Sequence, residues 1–349
     1  MSIRYSPLTL DTLSVVKDFL LPFWERTWDE DLCDRIFRWR FLERSDSEAI
    51  LALDGDRCIA MLDSWIRRYI VHDEITHVRE TADWYSLPGY RGVGLQPIWM
   101  MMKKPEPMVA IGGTDATQNL LPRLKWRPMS QPVRNFLLRL GSGVLLENPI
   151  KRTHLPGSAA LVGLAHRLSV PIGRVRSQPP PTDDAGMHRL KPSDPLTAVS
   201  PARSDYALAR LVDRSELEWL YSAPREMGDF SSLVFSLDGK PVGLSVNRLF
   251  SRDHSREANI LHIQASEVST RVYAWIASET AAHFARLGAK TIRCRTSCPQ
   301  LAEALLQTGF RQRSAFTPMW WSQNGEVPTG NALLSMLRAD DGILPYPTK

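Results

Sequence analysis

The sequence predicts an α/β (α+β) fold with two domains of the same kind in tandem, each a mixed, mostly antiparallel sheet flanked by helices. Three observations lead to this prediction. Helix and strand patterns alternate in a defined order over the first 140 residues, a glycine-bearing turn follows the fourth strand pattern, and a similar order begins again near residue 187. At 349 residues the chain is long enough for two domains that each bury a core.

The N-terminal region predicts one strand and then two helices. Residues 3–5 are a short strand, and residues 8–21 carry apolar side chains at helical spacing. A second helix is predicted from residue 29 or 31 to residue 42.

Three strands are predicted next, joined by tight turns. Asp54-Gly55 is typical of a hairpin turn, and His72-Asp73-Glu74 predicts a second turn. The predicted strands are residues 49–53, 58–66 and 77–87. The remaining elements of the first half are a helix at 96–102, a strand at 108–111, a helix at 117–125 and a strand at 133–140.

The turn after the fourth strand is Pro88-Gly89-Tyr90-Arg91-Gly92-Val93-Gly94-Leu95-Gln96. Gly92 and Gly94 are expected to take positive φ and to let another molecule approach the backbone closely. The helix that follows begins with unpaired N–H groups and the positive end of its dipole. Together these features predict a site for a phosphate or pyrophosphate.

Residues 88–94 resemble the acyl-CoA pyrophosphate loop of the GNAT (GCN5-related) N-acetyltransferase superfamily, whose pattern is Gln/Arg-x-x-Gly-x-Gly/Ala. Arg91 and Gly94 match the first two fixed positions, whereas Gln96 stands where a small residue is expected. The predicted order of elements over residues 1–140 is also the GNAT order. The resemblance is to a tandem, two-domain member of the superfamily.

The resemblance implies a set of cofactor-binding residues. The pyrophosphate would meet loop amides, and the pantetheine would run as an extra strand beside the fourth strand, where a main-chain N–H serves as oxyanion donor. Asn119, in the helix after the fifth strand, is also a candidate, and Asp115 is expected to cap that helix. The backbone candidates are Tyr85, Ser86, Leu87, Tyr90, Arg91, Gly92, Val93, Gly94, Leu95 and Gln96.

Two carboxylates are candidates for the general base. Glu80 occupies the position that holds the base in histone-type members of the superfamily. The alternative for Glu80 is a solvated strand carboxylate paired with Arg79 or Arg67. Asp83 is the second candidate, and alternation places it on the opposite face from Glu80 unless a bulge intervenes.

The general acid is unassigned. Superfamily members usually place a tyrosine in the helix after the fifth strand, and residues 114–125 contain none. Ser130 and a water molecule are the alternatives.

The second half repeats the motifs of the first in the same order. Met187-His188-Arg189 matches the first strand, and Asp238-Gly239 matches the first hairpin. At the position of the glycine loop, residues 262–271 carry serines in place of glycines, so we expect no phosphate site there. The predicted domains are an acyl-CoA-binding domain at 1–140, a Pro/Gly-rich linker with a short helix at 141–186, a degenerate second domain at 187–325 and a tail at 326–349.

Composition narrows the functional classes. Hydrophobic residues make up 43% and charged residues 23%, as in soluble globular proteins. With no membrane-spanning run and no signal-peptide pattern, we expect a cytoplasmic protein. A net charge of +5 suits anionic ligands such as CoA better than nucleic acid. The four cysteines lack disulfide or metal spacing, so we expect buried thiols and no metal.

These features favour an acyl-CoA-dependent N-acyltransferase, an acetyltransferase in the first instance. The expected co-substrate is acetyl-CoA or another acyl-CoA, and the expected acceptor is the amine of a small molecule such as an amino sugar or amino-acid derivative. Two alternatives remain open: a Fem-like aminoacyl-tRNA-dependent transferase, and a non-catalytic GNAT-like binding or sensing protein. The sequence does not determine the oligomeric state, and a homodimer is one alternative.

Overall fold

The structure is a computed structural model of the chain. It describes residues 3–24, 28–44, 46–90, 92–141, 161, 164–165, 173–191, 193–194, 196–252 and 255–337. The predicted helix near residues 159–168 lies largely outside the described residues, and so do residues 338–349 of the predicted tail.

The first sheet contains nine strands within the described residues. They are β1 Ile3–Pro7, β2 Ser47–Asp54, β3 Arg57–Val71, β4 Glu74–Ser86, β5 Met108–Ala110, β6 Arg127–Pro128, β9 Leu208–Arg210, β15 Met319–Trp321 and β16 Ala332–Leu333. The order is β1-β2-β3-β4-β5-β15-β6, with β9 paired to β3 and β16 paired to β9. Gly55 closes the β2–β3 hairpin with φ of 60°, the left-handed conformation that glycine adopts without steric cost.

The second sheet contains seven strands within the same residues, in the order β14-β7-β13-β12-β11-β10-β8. They are β7 Val133–Arg139, β8 Ala185–Arg189, β10 Asp229–Leu237, β11 Lys240–Arg252, β12 Ser255–Ala265, β13 Thr291–Thr296 and β14 Arg311–Phe316. The run β8-β10-β11-β12-β13 repeats the pairing of β1-β2-β3-β4-β5, including one parallel pair at its end.

Seven α-helices flank the sheets in the described part of the chain. They are α1 Leu13–Trp24, α2 Glu30–Phe41, α3 Leu95–Met102, α4 Asp115–Leu120, α5 Arg214–Tyr221, α6 Thr270–Arg286 and α7 Pro299–Gln307. Asp29 is the N-cap of α2, and its carboxylate accepts a hydrogen bond of 2.8 Å from the Leu32 amide. The predicted fold class is confirmed.

Each half of the chain contributes a strand to the sheet of the other half. β7, from the N-terminal half, lies between β13 and β14 in the second sheet. β15, from the C-terminal half, lies between β5 and β6 in the first sheet. The strand predicted at 133–140 therefore forms, but in the second sheet. The predicted domain limits stay predictions. Each sheet contains strands from both sides of the predicted linker.

The two halves also share one apolar core. Trp39 of α2 and Trp219 of α5 occupy matching positions in the two halves, and their rings stack at 4.3 Å. Each indole N–H donates to the backbone carbonyl of the other tryptophan, at 3.0 and 2.9 Å. Stacking with reciprocal hydrogen bonds holds the halves together in one geometry. All four cysteines are buried free thiols, as predicted.

Candidate functional site

A gap opens in the first sheet between β4 and β5. These parallel strands pair only where Arg79 and Glu80 meet Met108 and Val109. Beyond that point β4 continues along β3 as far as Ser86, while no described strand pairs with its other edge. Within the described residues no strand covers this edge of residues 81–86, which is where an extended ligand would lie.

A β-bulge lies beside this gap. Ala82 pairs with Asp63 and Tyr85 pairs with Met61, so that Asp83 and Trp84 together face one residue of β3. Asp83 takes φ of 43°, a left-handed conformation uncommon for residues other than glycine. Strand alternation alone would place Asp83 on the opposite face of the sheet from Glu80. The bulge is the exception named in the sequence prediction, because it shifts the alternation by one residue.

The glycine loop differs in detail from the sequence prediction. Gly89 has φ of 89°, whereas Gly94 has φ of −64° and Gly92 is also outside the left-handed region. The prediction of positive φ at Gly92 and Gly94 is therefore wrong, because the loop reverses direction at Gly89. A Cβ on Gly92 would meet no atom within 4 Å, so this glycine faces open space.

The loop leads directly into α3. The amides of Val93, Leu95 and Gln96 form turn hydrogen bonds of 2.9–3.3 Å inside the loop. Gly94 is the N-cap of α3 and offers no capping side chain, while its carbonyl accepts a 2.8 Å hydrogen bond from the Trp84 indole. The positive end of the helix dipole thus lies beside open backbone, next to the gap. Arg91 lies outside the described residues.

The strand residues predicted to meet the pantetheine lie where β4 reaches the loop. Tyr85 is half-buried and stacks on Phe23 of α1, with ring centroids 4.7 Å apart. Ser86 is the last residue of β4, and the Leu87 amide donates to the Ile59 carbonyl at 2.9 Å. Tyr90, also half-buried, packs with Leu87 against the β2–β3 hairpin.

Glu80 belongs to a buried ionic network between the halves. Its carboxylate accepts hydrogen bonds from the Tyr69 hydroxyl at 2.6 Å and from Nε of Arg210 at 2.8 Å. Arg210 also pairs with Glu216 at 2.6 Å, and Arg67 reaches the same Glu216 oxygen at 3.3 Å. The sequence predicted an ion pair with Arg79 or Arg67 as the alternative role of Glu80. Glu80 does form an ion pair, but with Arg210.

Asp83 lies in a second buried cluster, against α1 and α2. It forms an ion pair with Arg40 and accepts a 3.4 Å hydrogen bond from the Trp24 indole. Asp63 of β3 lies beside it, accepting hydrogen bonds from the Trp65 indole at 2.9 Å and the Ser64 amide at 2.8 Å. Burial raises the pKa of Asp63 to about 8; Arg40 opposes the shift and Asp83 adds to it.

Sequence reasoning did not single out Asp63 or Arg40 by itself. Asp63 is the one charged residue within the otherwise apolar and neutral stretch of residues 58–66. Arg40 follows Ile36 and Phe37 at helical spacing, which places a cation on the apolar side of α2. A charged residue at a position that the pattern assigns to the core could have identified both residues. Such a charge is rarely buried without a partner, so it indicates a buried ionic cluster.

The remaining candidates lie at the surface. Asn119 is exposed on α4, and Ser130 is exposed before β7. Asp115 is not the N-cap of α4: Thr114 holds that position, and its hydroxyl accepts the Thr117 amide at 3.3 Å. Thr114 has the extended conformation of an N-cap, so the helix begins at Asp115, one residue earlier than an Asp115 cap would require.

The corresponding gap in the second sheet is filled by the chain itself. β12 and β13 pair from Glu257–Thr291 to Ile260–Cys294 and then separate. Ser335 bridges Thr296 at the end of β13, and its hydroxyl lies 2.9 Å from Nδ1 of His262 on β12. Burial lowers the pKa of His262 to about 3, so the ring is neutral. The two gaps thus differ, since only the second has a described segment within it.

Other site types are not seen in the described residues. They contain no group of three or more His, Cys, Asp or Glu side chains arranged to hold a metal ion. Among the same residues, none of the helices combines the length and apolar composition that crossing a bilayer requires.

Known proteins resemble this chain in structure. No protein-family model and no curated protein sequence matches it. A GCN5-related N-acetyltransferase from Anabaena variabilis superposes with a TM-score of 0.59 at 11% identity, over 91% of this chain and 72% of that one. Saccharomyces cerevisiae N-myristoyltransferase with bound myristoyl-CoA gives 0.58 at 13% identity, over 99% and 89%.

A third solved structure has a similar extent. A probable N-acyltransferase from Enterococcus faecalis gives a TM-score of 0.54 at 10% identity, over 92% of this chain and 72% of the other. The chain therefore has the GNAT-type fold, with two GNAT-like units in tandem as in N-myristoyltransferase. The predicted resemblance is confirmed at the level of the fold.

Proposed function

We propose that this protein is an acyl-CoA-dependent N-acyltransferase acting on the amine of a small molecule. The observation that carries the proposal is the gap between β4 and β5, with the glycine loop and the start of α3 at its end. An extended pantetheine fits the free edge of β4, and a pyrophosphate fits the positive end of α3. The superposed N-acyltransferases, one with bound myristoyl-CoA, support this assignment by fold.

The chemistry needs a polarised thioester carbonyl and an unprotonated amine. A main-chain N–H on the free edge of β4 would donate to the oxyanion as the amine attacks the carbonyl carbon. The C–N bond forms, the C–S bond breaks, and the thiolate of CoA takes a proton as it leaves. No tyrosine of α4 is present for that last step, and a water molecule remains our proposal for the acid.

Of the two candidate bases, we place Asp83 ahead of Glu80. Both carboxylates pair with a buried arginine, so only their positions distinguish them, and Glu80 lies where β4 and β5 still pair. Asp83 lies at the bulge, where the strands have separated and the carbonyl of a bound thioester would stand.

The experiment is a transfer assay on the full chain. Acetyl-CoA and myristoyl-CoA are each offered with a panel of amino sugars and amino-acid derivatives, and release of the CoA thiol is followed. We expect amine-dependent release, reduced about 100-fold or more in Asp83→Asn and less in Glu80→Gln. Binding of acyl-CoA without turnover over the whole panel would instead favour a non-catalytic, sensing role and contradict the proposal.

A further inference from the structure

The second half contains a cavity unrelated to the gap in the first sheet. Its volume is about 940 Å³, and it lies between α5, the start of β10 and the C-terminal end of α6. Since α6 has 17 residues, its ends are about 25 Å apart. The cavity is thus a helix length from the α6 N-terminus, the place where a second CoA loop would lie. None of the residues predicted to bind CoA lines it.

The cavity wall is strongly positive. Two carboxylates, Glu218 and Asp229, line it together with five permanently charged cations. The cations are Arg189, Lys191, Arg214, Arg225 and Arg256.

Three of these cations have no partner in the described part of the chain. The side chains of Arg189, Lys191 and Arg225 are exposed and form neither an ion pair nor a hydrogen bond with described residues. The two lining carboxylates do not compensate them, because neither forms an ion pair there. By contrast Glu226, the neighbour of Arg225, pairs with Arg35 at 2.9 Å.

The positive charges at the cavity wall also repel one another. His283 lines the same cavity, and burial together with the charges of Arg286 and Arg189 lowers its pKa. Arg214 is the first residue of α5, where the helix dipole disfavours a cation. A bound anion would relieve this repulsion. None of the described carboxylates forms an ion pair with Arg189, Lys191 or Arg225 to do so.

One of the guanidinium groups is held in place for binding. Arg214 donates from Nη2 to the Asp194 carbonyl at 2.7 Å and from Nη1 to the Lys191 carbonyl at 3.3 Å. Those bonds fix its planar donor fork at the cavity wall. A fixed guanidinium binds phosphate oxygens with little further loss of side-chain entropy.

The floor of the cavity is apolar, which narrows the ligand class. It is formed by Met187, Leu190, Leu220, Phe230, Leu233 and Phe284. An apolar or aromatic group would cover this floor while phosphates meet the arginines. The volume suits a ligand of nucleotide size, because small-molecule pockets span about 300–1,000 Å³.

We infer that this cleft binds a phosphate-bearing organic anion of nucleotide size, through Arg189, Arg214 and Arg225, at a site separate from the acyl-CoA gap. The inference does not depend on the proposed acyltransferase activity. It gives the second half, which has no glycine loop, a ligand of its own.

The test is calorimetric titration of the full chain with ATP as probe and adenosine as the uncharged comparison. The variant is the double substitution Arg189→Glu, Arg225→Glu, and the matched control is Arg311→Glu, an exposed arginine of β14 outside the cleft. We expect ATP to bind the wild type and adenosine to bind far more weakly. The double variant should bind ATP at least about ten-fold more weakly, and the control should match the wild type.

Gly92→Glu separates this site from the CoA loop, since it should leave ATP binding unchanged. If Gly92→Glu loses affinity for ATP while the double variant keeps it, the inference is overturned. The same holds if the wild type does not bind ATP at millimolar concentration. Arginine modification by phenylglyoxal, read by mass spectrometry, tests the wild type directly. ATP should protect Arg189 and Arg225 but not Arg311, and equal modification with and without ATP would overturn the inference.

Discussion

At the scale of single residues, Asp63 makes the stability of the protein depend on pH. Burial raises its pKa to about 8 from an ordinary value of 3.8. The unfolded chain therefore releases this proton near pH 4, whereas the folded protein keeps it until about pH 8. The stabilising effect of the protonated form is complete below pH 4 and is lost as pH rises through this window.

We predict that Asp63→Asn removes this dependence. The wild type should lose free energy of unfolding relative to the variant by up to about 1.4 kcal/mol per pH unit between about pH 4 and pH 8. Urea unfolding across this range measures the difference. Asp56→Asn, at an exposed turn position, is the control. Its free energy of unfolding should differ from that of the wild type by the same amount at every pH in this range. A constant difference for Asp63→Asn as well would mean that Asp63 is ionised in the folded protein.

Arg210 is the second residue for which the structure makes a quantitative prediction. Arg210→Met leaves the buried Glu80 carboxylate without the cation 2.8 Å away. We expect this variant to lose about 3–5 kcal/mol of unfolding free energy. Arg35→Met breaks a pair with Glu226 in which both side chains are 45% exposed, and should destabilise the protein far less. Equal losses for the two variants would show that Glu80 does not depend on Arg210.

Single residues were also the hardest features to predict from the sequence. The strand carrying Glu80 was recognisable from its pattern, but its partner Arg210 lies 130 residues away along the chain. The spacing of a strand fixes the side to which Glu80 points and says nothing of what packs there. At Asp83, the bulge decides the orientation, and no residue type in Asp83-Trp84-Tyr85 specifies a bulge.

At the scale of elements, the proposed pyrophosphate site consists of the loop and the start of α3, and it requires open space and the positive end of the helix dipole. Gly92→Glu adds a side chain where a Cβ meets nothing within 4 Å, so the fold should be kept. The new carboxylate would repel a pyrophosphate at the start of α3. We expect acetyl-CoA affinity to fall about 10–100-fold, measured by calorimetry.

Two controls accompany the Gly92 variant. Gly92→Ala should bind acetyl-CoA like the wild type, because it adds no charge. Gly186→Glu, in β8 and also with open space around its Cβ, should do the same. Unchanged affinity in Gly92→Glu would place the pyrophosphate elsewhere.

Elements were predictable to the extent that local chemistry specifies them. The hairpin at Asp54-Gly55, the cap at Asp29 and the turn between β4 and α3 follow from residue types at fixed spacing. The position of residues 332–337 in the second gap does not, because a short segment after β15 carries no local signal of where it packs.

At the scale of the whole molecule, the exchange of β7 and β15 makes each sheet depend on both halves. The stacked Trp39 and Trp219 and the Glu80–Arg210 pair add contacts between the halves. The sequence predicted two similar halves from the repeated motifs, but it did not predict the exchange. A strand such as β7 pairs through its backbone, and its side-chain pattern fits either sheet.

We predict one cooperative unfolding transition for the full chain. Neither half can keep a complete sheet when the other unfolds, so the two should melt together. Differential scanning calorimetry should give a single peak whose calorimetric and van't Hoff enthalpies agree. Two separate peaks would show that the halves are independent in spite of the exchanged strands.

Amide hydrogen exchange can show whether acyl-CoA binds along the edge of β4 that faces the gap, as we propose. On addition of acetyl-CoA, we predict slower exchange within residues 81–86 and at Gly92 and Gly94, because the pantetheine and pyrophosphate would cover backbone amides there. Residues 261–266, at the filled gap of the second sheet, serve as the internal control and should not change. Protection at 261–266 with none at 81–86 would show that acyl-CoA does not bind along β4.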